Sequence, residues 1–208
     1  NPYWVALVRS ELAGSRVKVC TVVGFPLGAT STEAKVAETA AAVRAGAEEI
    51  DMVINVGALR AGDHEAVKID IQEVVKVAHP AGAIVKVILE TALLDDNQKA
   101  VACTLCKLAG ADFVKTSTGM EPVNATLPVS LVMMRMIREF AERTGHMSGF
   151  KPAGGSASAK TARTDLMLVK EELGDEWLTP GRFRFCGARL LGDMERQLAR
   201  ELGELARI

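Results

Sequence analysis

The chain has 208 residues, of which 49% are hydrophobic and 25% charged, and its formal net charge is -1. This length is enough for one domain with a sizeable core. The near-neutral charge gives no electrostatic basis for binding nucleic acid or an anionic membrane. No apolar run approaches the roughly 20 residues of a membrane span, and no signal-peptide pattern opens the chain. We therefore expect a cytoplasmic protein with a single domain, residues 1–208, and no nucleic-acid or membrane partner.

The cysteines and histidines do not form a recognisable metal or disulfide pattern. Four cysteines are too sparse for a disulfide framework. Cys103 and Cys106 fall inside a helical pattern without a second ligand pair, which favours two small core residues. His64, His79 and His146 flank predicted loops or helix ends, where surface histidines are common. We expect no metal and no cofactor.

Strand-like and helix-like segments alternate along the chain after a short helix that ends near Gly14. The predicted strands cover residues 17–24, 48–54, 83–90, 111–116, 148–152 and 183–187. The helix after the first strand begins at a capping-box pattern, residues 30–33. The apolar spacing predicts that these helices face inward through Val36, Ala40 and Val43, then Val67, Ile71, Val74 and Val75, and then Val101, Leu105 and Leu108.

Strict alternation with short connections predicts right-handed parallel β/α units. Two arrangements fit, a doubly wound open sheet and a (β/α)8 barrel. Even units of about 30 residues, without a Gly-x-Gly-x-x-Gly turn, favour the barrel. A full barrel needs eight strands, so we expect about two to be absent at the start of this chain. The resulting unpaired strand edges would be covered by residues before Asn1 or by a partner.

Charged residues lie within several of the apolar strands, where burial is costly. Those towards the carboxyl ends are Asp51, Glu90, Lys115 and Lys151. In either fold the carboxyl ends meet at one face, so we expect these residues to share a pocket. Lys18 and Lys86 also lie in strands, and we interpret them as inner-wall salt-bridge residues.

Two lysines in one dry pocket suggest carbonyl chemistry. A neighbouring ammonium and desolvation both favour the neutral amine. A neutral lysine attacks carbonyls and forms a Schiff base, whose enamine makes or breaks a carbon-carbon bond. Asp51 would accept and return protons, directly or through a water.

Three segments closely resemble the catalytic motifs of the deoxyribose-phosphate aldolase family. They are Glu-Ile-Asp at 49–51, Ala-Asp-Phe-Val-Lys-Thr-Ser-Thr-Gly at 111–119, and Gly-Phe-Lys-Pro-Ala-Gly-Gly at 149–155. The flanking sequences at 19–28, 122–126 and 169–174 are also similar, so the resemblance covers nearly the whole chain.

The resemblance implies a (β/α)8 barrel and a class I aldolase that acts without metal. Such an enzyme cleaves 2-deoxyribose 5-phosphate to acetaldehyde and glyceraldehyde 3-phosphate. It implies that Lys115 forms the Schiff base, that Lys151 favours the neutral form of Lys115, and that Asp51 moves protons with Lys151 and water. We expect a small aldehyde or sugar-phosphate substrate and a homo-oligomer, either a dimer or a tetramer.

The phosphate-binding end departs from the family pattern. Met120 stands where the family usually has lysine, Ser156 and Ala157 replace an apolar residue and arginine, and residues 186–189 read Cys-Gly-Ala-Arg instead of Gly-Ala-Ser-Ser. The candidate substrate- and phosphate-binding residues are Thr118, Gly119, Gly154, Gly155, Ser156, Gly187, Ala188 and Arg189. Either these changes are drift or a local register shift, with Arg189 replacing the lost charge, or the pocket is altered, naturally or by engineering, to favour unphosphorylated aldehydes.

Two other functions remain open from the sequence. A sugar-phosphate isomerase would use Glu90 or Asp51 as a base and form no covalent adduct. A catalytically inactive binding relative would fold normally and also form none.

Overall fold

The computed structural model describes residues 1–155, 158–187 and 189–205, and only the backbone of 204 and 205. The strands in this part are β1 (Cys20–Val23), β2 (Glu49–Val53), β3 (Ile84–Ile88), β4 (Phe113–Lys115) and β5 (Gly149–Lys151). The α-helices are α1 (Val5–Glu11), α2 (Thr32–Arg44), α3 (Val56–Arg60), α4 (His64–Ala78), α5 (Asp96–Leu108), α6 (Leu127–Thr144), α7 (Ala159–Leu173) and α8 (Leu190–Leu205). Short 3₁₀ turns cover Pro2–Trp4, His79–Ala81, Thr91–Leu93 and Asp175–Trp177.

The order of the strands decides between the two predicted arrangements. All pairs are parallel, and the sheet runs β1-β2-β3-β4-β5 without a reversal. A doubly wound sheet reverses its order at a switch point, whereas a barrel adds each new strand beside the last. The sheet therefore has the topology of part of a (β/α)8 barrel.

The predicted sixth strand, residues 183–187, is only partly formed. Two isolated parallel bridges, Phe150 to Phe183 and Ala153 to Cys186, continue the sheet beyond β5. Within the described residues, the segment therefore follows the direction of a strand without a continuous ladder.

The main hydrophobic core lies between the sheet and its outer helices. Ile50, Val85, Val87 and Val114 point into this layer from the strands and are fully buried or nearly so. Helices α2 and α4 pack together, as do α5 with α6 and α6 with α7. The opposite, inner face of the sheet carries the charged residues, which are also buried. Because both faces of the sheet are covered, the strands are buried along most of their length.

Local signals set the helix starts. Ser31, rather than Thr30, caps α2 by accepting a hydrogen bond from the Ala34 amide. Asp95 and Gln98 form a capping box at the start of α5. Helix α3 was not predicted, because it has only five residues, contains Gly57 and is closely followed by Gly62, so the segment reads as a loop.

Two predicted helix faces are wrong in part. Helix α2 buries Lys35, Thr39 and Ala42 instead of Val36, Ala40 and Val43, although Val43 is partly buried against the core. Helix α5 buries Lys99, Ala102, Cys103, Cys106 and Lys107, while the predicted Leu108 is exposed. Buried lysines that find polar partners shift these faces away from the apolar stripe. The predicted face of α4 is correct for Val67, Ile71 and Val74.

The cysteines and histidines lie as predicted. Cys103 and Cys106 are fully buried in the core, and burial raises the pKa of Cys103 to about 12. His64, His79 and His146 are exposed. No helix in the described part of the chain is both long and apolar enough to cross a membrane.

Candidate active site

The register of the parallel strands brings the predicted catalytic residues together on the inner face of the sheet. Asp51 on β2 is the register partner of Lys86 on β3. Lys115 on β4 is the register partner of Lys151 on β5. Register partners in adjacent parallel strands point to the same face. Their charged ends therefore converge near the carboxyl ends of the strands.

Asp51 is the centre of this cluster and is 1% exposed. Its Oδ2 atom accepts a hydrogen bond from the Nζ of Lys115 at 2.7 Å and another from the Nζ of Lys151 at 2.7 Å. The two amine nitrogens can therefore be no farther apart than twice that distance. Its Oδ1 atom accepts from the Nζ of Lys86 at 2.9 Å.

Asp51 is held in its ionised form. Burial alone would raise its pKa, but the ion pairs with Lys115, Lys151 and Lys86 outweigh burial and hold the pKa of Asp51 far below its usual range. A carboxylate stabilised this strongly is a weak base, so its main effect at neutral pH is to anchor and orient the amines.

Lys86 makes the inner-wall salt bridges that the sequence predicts, and through Asp51 it also joins the cluster. Its Nζ contacts Glu49 at 2.6 Å as well as Asp51. Desolvation opposes its charge, but the carboxylates of Asp51 and Glu49 outweigh it and raise the pKa of Lys86. Lys86 is therefore a permanent cation that links two carboxylates. Lys18, by contrast, makes an exposed ion pair with Glu48.

Cys20 on β1 is the nearest uncharged member. Its Sγ lies 3.3 Å from Oδ1 of Asp51 and 3.5 Å from the Nζ of Lys86. Desolvation and the neighbouring Asp51 raise the pKa of the thiol. The thiol therefore stays protonated and adds no charge to the cluster.

The buried part of the cluster has more amines than carboxylates. Glu49, Asp51, Lys86, Lys115 and Lys151 are each at most 8% exposed. Lys86 takes Glu49 and one oxygen of Asp51, so two amines share the other oxygen. Three amines therefore face two carboxylates, and a surplus of buried positive charge is costly. Lys115 and Lys151 share a single acceptor oxygen, whereas Lys86 has two carboxylate partners.

Glu90 stands apart from the lysines. It is 4% exposed and has a positive φ of 53°, which is rare for a residue other than glycine. Its carboxylate accepts hydrogen bonds from the hydroxyl and, at 3.3 Å, from the amide of Thr118. Among the described residues it has no cationic partner within salt-bridge distance. Glu90 thus holds the loop that follows Lys115.

Thr116 joins the ends of β4 and β5. Its amide donates to the carbonyl of Lys151 at 3.2 Å, and its hydroxyl accepts from the amide of Ala153 at 3.0 Å. These bonds tie the backbone after Lys115 to the backbone after Lys151. They keep the two lysines in register.

The glycines predicted to bind phosphate have a packing role in this structure. A Cβ added to Gly154 would lie 2.7 Å from the side chain of Asn124, and one added to Gly155 would lie 2.5 Å from the carbonyl oxygen of Ala125. The amide of Gly154 also donates to the carbonyl of Cys186 at 3.3 Å. Close approach of the two loops therefore requires both glycines.

The remaining predicted binding residues are less closely grouped. Gly119 has a φ of 93° and follows Thr118 in the loop after β4. Gly187 and Arg189 are exposed, and Gly187 follows Cys186, whose carbonyl accepts from the Gly154 amide. Met120 is also exposed, and its amide donates to the Thr118 hydroxyl at 3.1 Å. Ser156, Ala157 and Ala188 lie outside the described residues.

A family model for the DeoC/LacD family aldolases matches residues 2–181. The chain belongs to this family. It is 46% identical over 190 residues to the deoxyribose-phosphate aldolase of Homo sapiens, covering 90% of this chain and 59% of the relative. It is 51% identical over 162 residues to the deoxyribose-phosphate aldolase of Aciduliprofundum boonei, covering 78% of this chain and 70% of the relative. The chain thus spans less than two thirds of the human relative.

A solved structure supports the same fold. The deoxyribose phosphate aldolase from Aeropyrum pernix, described as tetrameric, has a TM-score of 0.75 and 27% sequence identity to this chain. The match covers 93% of this chain and 73% of that one. Together with the strand order, this relative agrees with an incomplete (β/α)8 barrel.

Sequence reasoning assigned no site role to several of these residues. Lys86 was interpreted as a structural residue, Glu49 was part of a motif without a role of its own, and Cys20 was not considered. Arg184, whose guanidinium donates to Glu49 at 2.9 Å, was not considered either. Thr116 was part of a motif without a role of its own. The signal that could have identified Glu49 is its position two residues before Asp51, which places both side chains on the same face of β2.

Proposed function

We propose that this protein is a class I aldolase that cleaves 2-deoxyribose 5-phosphate reversibly to acetaldehyde and glyceraldehyde 3-phosphate. The observation that carries the proposal is that the amines of Lys115 and Lys151 both contact Oδ2 of Asp51. Membership of the aldolase family supports the reaction class. The related enzymes from Homo sapiens and Aciduliprofundum boonei support the substrate.

Lys115 is the proposed nucleophile. Its neutral amine adds to the aldehyde carbon of the open-chain sugar, forming a carbon-nitrogen bond. The carbinolamine then takes up one proton and loses one water to give a protonated imine. Because Lys115 is 4% exposed, the reaction takes place in a nearly dry pocket.

Cleavage follows from the electron demand of the imine. The hydroxyl on carbon 3 loses its proton, the bond between carbons 2 and 3 breaks, and its electron pair moves into the imine to form an enamine. Carbon 3 becomes the aldehyde of glyceraldehyde 3-phosphate. The enamine takes a proton on carbon 2, and one water releases acetaldehyde and restores the amine of Lys115.

Lys151 is the proposed carrier of the mobile proton, and Asp51 holds it in place. Because the pKa of Asp51 is far below its usual range, Asp51 is a poor proton acceptor by itself. The amine of Lys151, 2.7 Å from the same oxygen, can pass protons to the substrate directly or through a water.

Reductive trapping tests the covalent step. Incubation with acetaldehyde and borohydride should add one ethyl group to Lys115, which peptide mass spectrometry locates. Lys115→Ala should abolish the adduct, whereas Lys18→Ala removes an exposed lysine and should leave it unchanged. A folded protein without an adduct would mean either acid-base isomerase chemistry or an inactive relative.

Assays of sugar-phosphate isomerisation would separate those two alternatives. An isomerase would need a carboxylate free to accept a proton. Asp51 is occupied by three lysines, and Glu90 is occupied by Thr118. These contacts favour the aldolase.

We further propose that the altered end of the pocket weakens the preference for phosphorylated substrates. Met120 adds no charge there, and the Gly154 amide already donates to a carbonyl. Arg189 is exposed and follows the bridged residue Cys186 by three positions. Turnover of 2-deoxyribose should therefore approach that of its 5-phosphate.

Arg189→Gln separates the two interpretations of this end. If Arg189 replaces the lost charge, the substitution raises KM for the phosphate ester several-fold and leaves KM for 2-deoxyribose unchanged. A strong preference for the ester that survives Arg189→Gln would contradict the altered-pocket proposal.

We also propose a homo-oligomer, since the related enzyme from Aeropyrum pernix is described as tetrameric. Light scattering coupled to size-exclusion chromatography would give the mass directly. A monomer at working concentrations would contradict this proposal without affecting the aldolase assignment.

A further inference from the structure

Arg184 extends the charged cluster towards the opposite end of the sheet. Its guanidinium donates to both oxygens of Glu49, at 2.9 and 3.4 Å. Glu49 in turn contacts Lys86 at 2.6 Å, and Lys86 contacts Asp51 at 2.9 Å. A continuous chain of alternating charge therefore leads from Arg184 to the oxygen shared by Lys115 and Lys151.

Glu49 lies outside the reacting end of the pocket. It is two residues before Asp51 on β2, which places it roughly 7 Å closer to the amino ends of the strands. It is 4% exposed, so its charge is poorly screened. The side chain of Arg184 is 30% exposed, so its charge is screened more.

We propose that Glu49 and Arg184 set the pH at which Lys115 becomes nucleophilic, acting through Lys86 and Asp51. This inference rests on the proposed aldolase function. Glu49 and Arg184 are positioning residues, because neither contacts the shared amines. The charged and titratable groups that face one another in the cluster are Cys20 from β1, Glu49 and Asp51 from β2, Lys86 from β3, Lys115 from β4, Lys151 from β5, and Arg184 from the bridged segment after β5.

The direction of each effect follows from charge. Loss of the negative charge of Glu49 makes the cluster more positive. Lys86 then interacts more strongly with Asp51, so the carboxylate of Asp51 stabilises the other two ammonium groups less. Both changes favour loss of a proton from the pair formed by Lys115 and Lys151. Loss of the positive charge of Arg184 acts in the opposite direction, because Glu49 then satisfies Lys86 more fully and Asp51 remains with the amines.

The test measures the rate of trapping with acetaldehyde and cyanoborohydride as a function of pH. Glu49→Gln should move the half-maximal pH down by on the order of one unit. Arg184→Gln should move it up by about half as much, since Arg184 is partly screened. The double variant should lie between Glu49→Gln and the parent, about half a unit below the parent value.

Glu48→Gln is the matched control. It removes the same charge from the adjacent residue, whose carboxylate pairs with Arg9 and Lys18 at the surface. It should leave the profile unchanged. Circular dichroism would show that each variant is folded. If Glu49→Gln does not fold, Arg184→Gln alone tests the proposal. An upward shift of the half-maximal pH would support the proposal, and an unchanged half-maximal pH would contradict it.

The outcomes separate this inference from the proposed function. Absence of an adduct at Lys115 in the parent protein, at every pH, would overturn the aldolase itself. An adduct in all variants with unchanged profiles, or with both profiles moving in the same direction, would overturn only the role of Glu49 and Arg184. Shifts of opposite sign support it, because a merely structural role would not produce them.

Discussion

Lys35 and Lys115 are both buried lysines paired with an aspartate, but their surroundings differ. Lys35 on α2 is fully buried and pairs with Asp70 on α4, and it also donates to the carbonyl of Val53 at 3.0 Å. The other oxygen of Asp70 accepts from the hydroxyl of Thr32 at 3.0 Å. This pair has equal and opposite charges, and each has a further hydrogen-bond partner.

The cluster around Asp51 has the same residue types but a surplus of amines. One oxygen of Asp51 serves both Lys115 and Lys151. A balanced buried pair is stable as it is, whereas in the unbalanced cluster two amines compete for one carboxylate oxygen. The comparison indicates that charge balance, rather than burial, separates a structural lysine from a candidate catalytic one.

The largest expected difference is between Lys35→Met and Lys115→Met. Lys35→Met leaves Asp70 charged and buried without a cation, so it should lower the free energy of unfolding by about 3–5 kcal/mol. Lys115→Met removes a surplus amine and should change it by less than about 1 kcal/mol, while trapping is lost. Urea denaturation measures both.

The double variant Lys35→Met/Asp70→Leu is the control. Replacement of both partners by apolar residues removes the unpaired charge, so most of the lost stability should return. Equal destabilisation by Lys35→Met and Lys115→Met would contradict the distinction between the two clusters.

The next effect is the acid sensitivity that Asp51 confers. Because its pKa is held below the unfolded value, ionised Asp51 stabilises the fold at pH values above about 4, and this contribution is lost as the pH falls from there. The stability advantage of the parent over Asp51→Asn should therefore shrink by about 2 kcal/mol or more between pH 5 and pH 2. Chemical denaturation at several pH values gives this difference. An advantage that stays constant with pH would show that Asp51 is not held ionised by the lysines.

The smallest effect concerns Glu90, a buried carboxylate paired with hydroxyl and amide groups rather than a cation. Glu90→Gln keeps the shape but removes the negative charge, so the charge-assisted hydrogen bonds from Thr118 become neutral and weaker. We expect a loss of about 1 kcal/mol in the free energy of unfolding and an unchanged adduct at Lys115. Thermal denaturation and trapping measure these.

Thr118→Ser is the control for this prediction, since it retains the hydroxyl that Glu90 accepts from. It should destabilise less than Glu90→Gln. Loss of the adduct in folded Glu90→Gln would instead place Glu90 in the reaction, as an acid-base mechanism requires.

The fold was largely predictable because strand and helix periods differ and alternate clearly in this chain. The helix faces of α2 and α5 were less predictable. Lys35, Lys99 and Lys107 are buried there, and a hydrophobic pattern assigns lysine to the surface. Lys107 is buried because its amine donates to the carbonyl of Met136 and lies over the ring of Phe140. Such partners come from another helix and leave no signal in the local sequence.

The predicted strand at 183–187 shows a similar limit. Its apolar residues were enough to place it beside β5, and Phe183 does pack against Phe150 with ring centroids 6.2 Å apart. Continuity of the ladder depends on backbone register along the whole segment, which residue type does not specify.

The sequence by itself determined the parallel β/α units and the location of Asp51, Lys115 and Lys151 at strand ends, because strand alternation and the common direction of parallel strands are local properties. Only the tertiary structure decided that two amines share one oxygen of Asp51, that Lys86 and Glu49 join them, and that Arg184 reaches Glu49. These contacts depend on register between strands up to 135 residues apart in the chain, and Coulomb interactions depend on those distances in space.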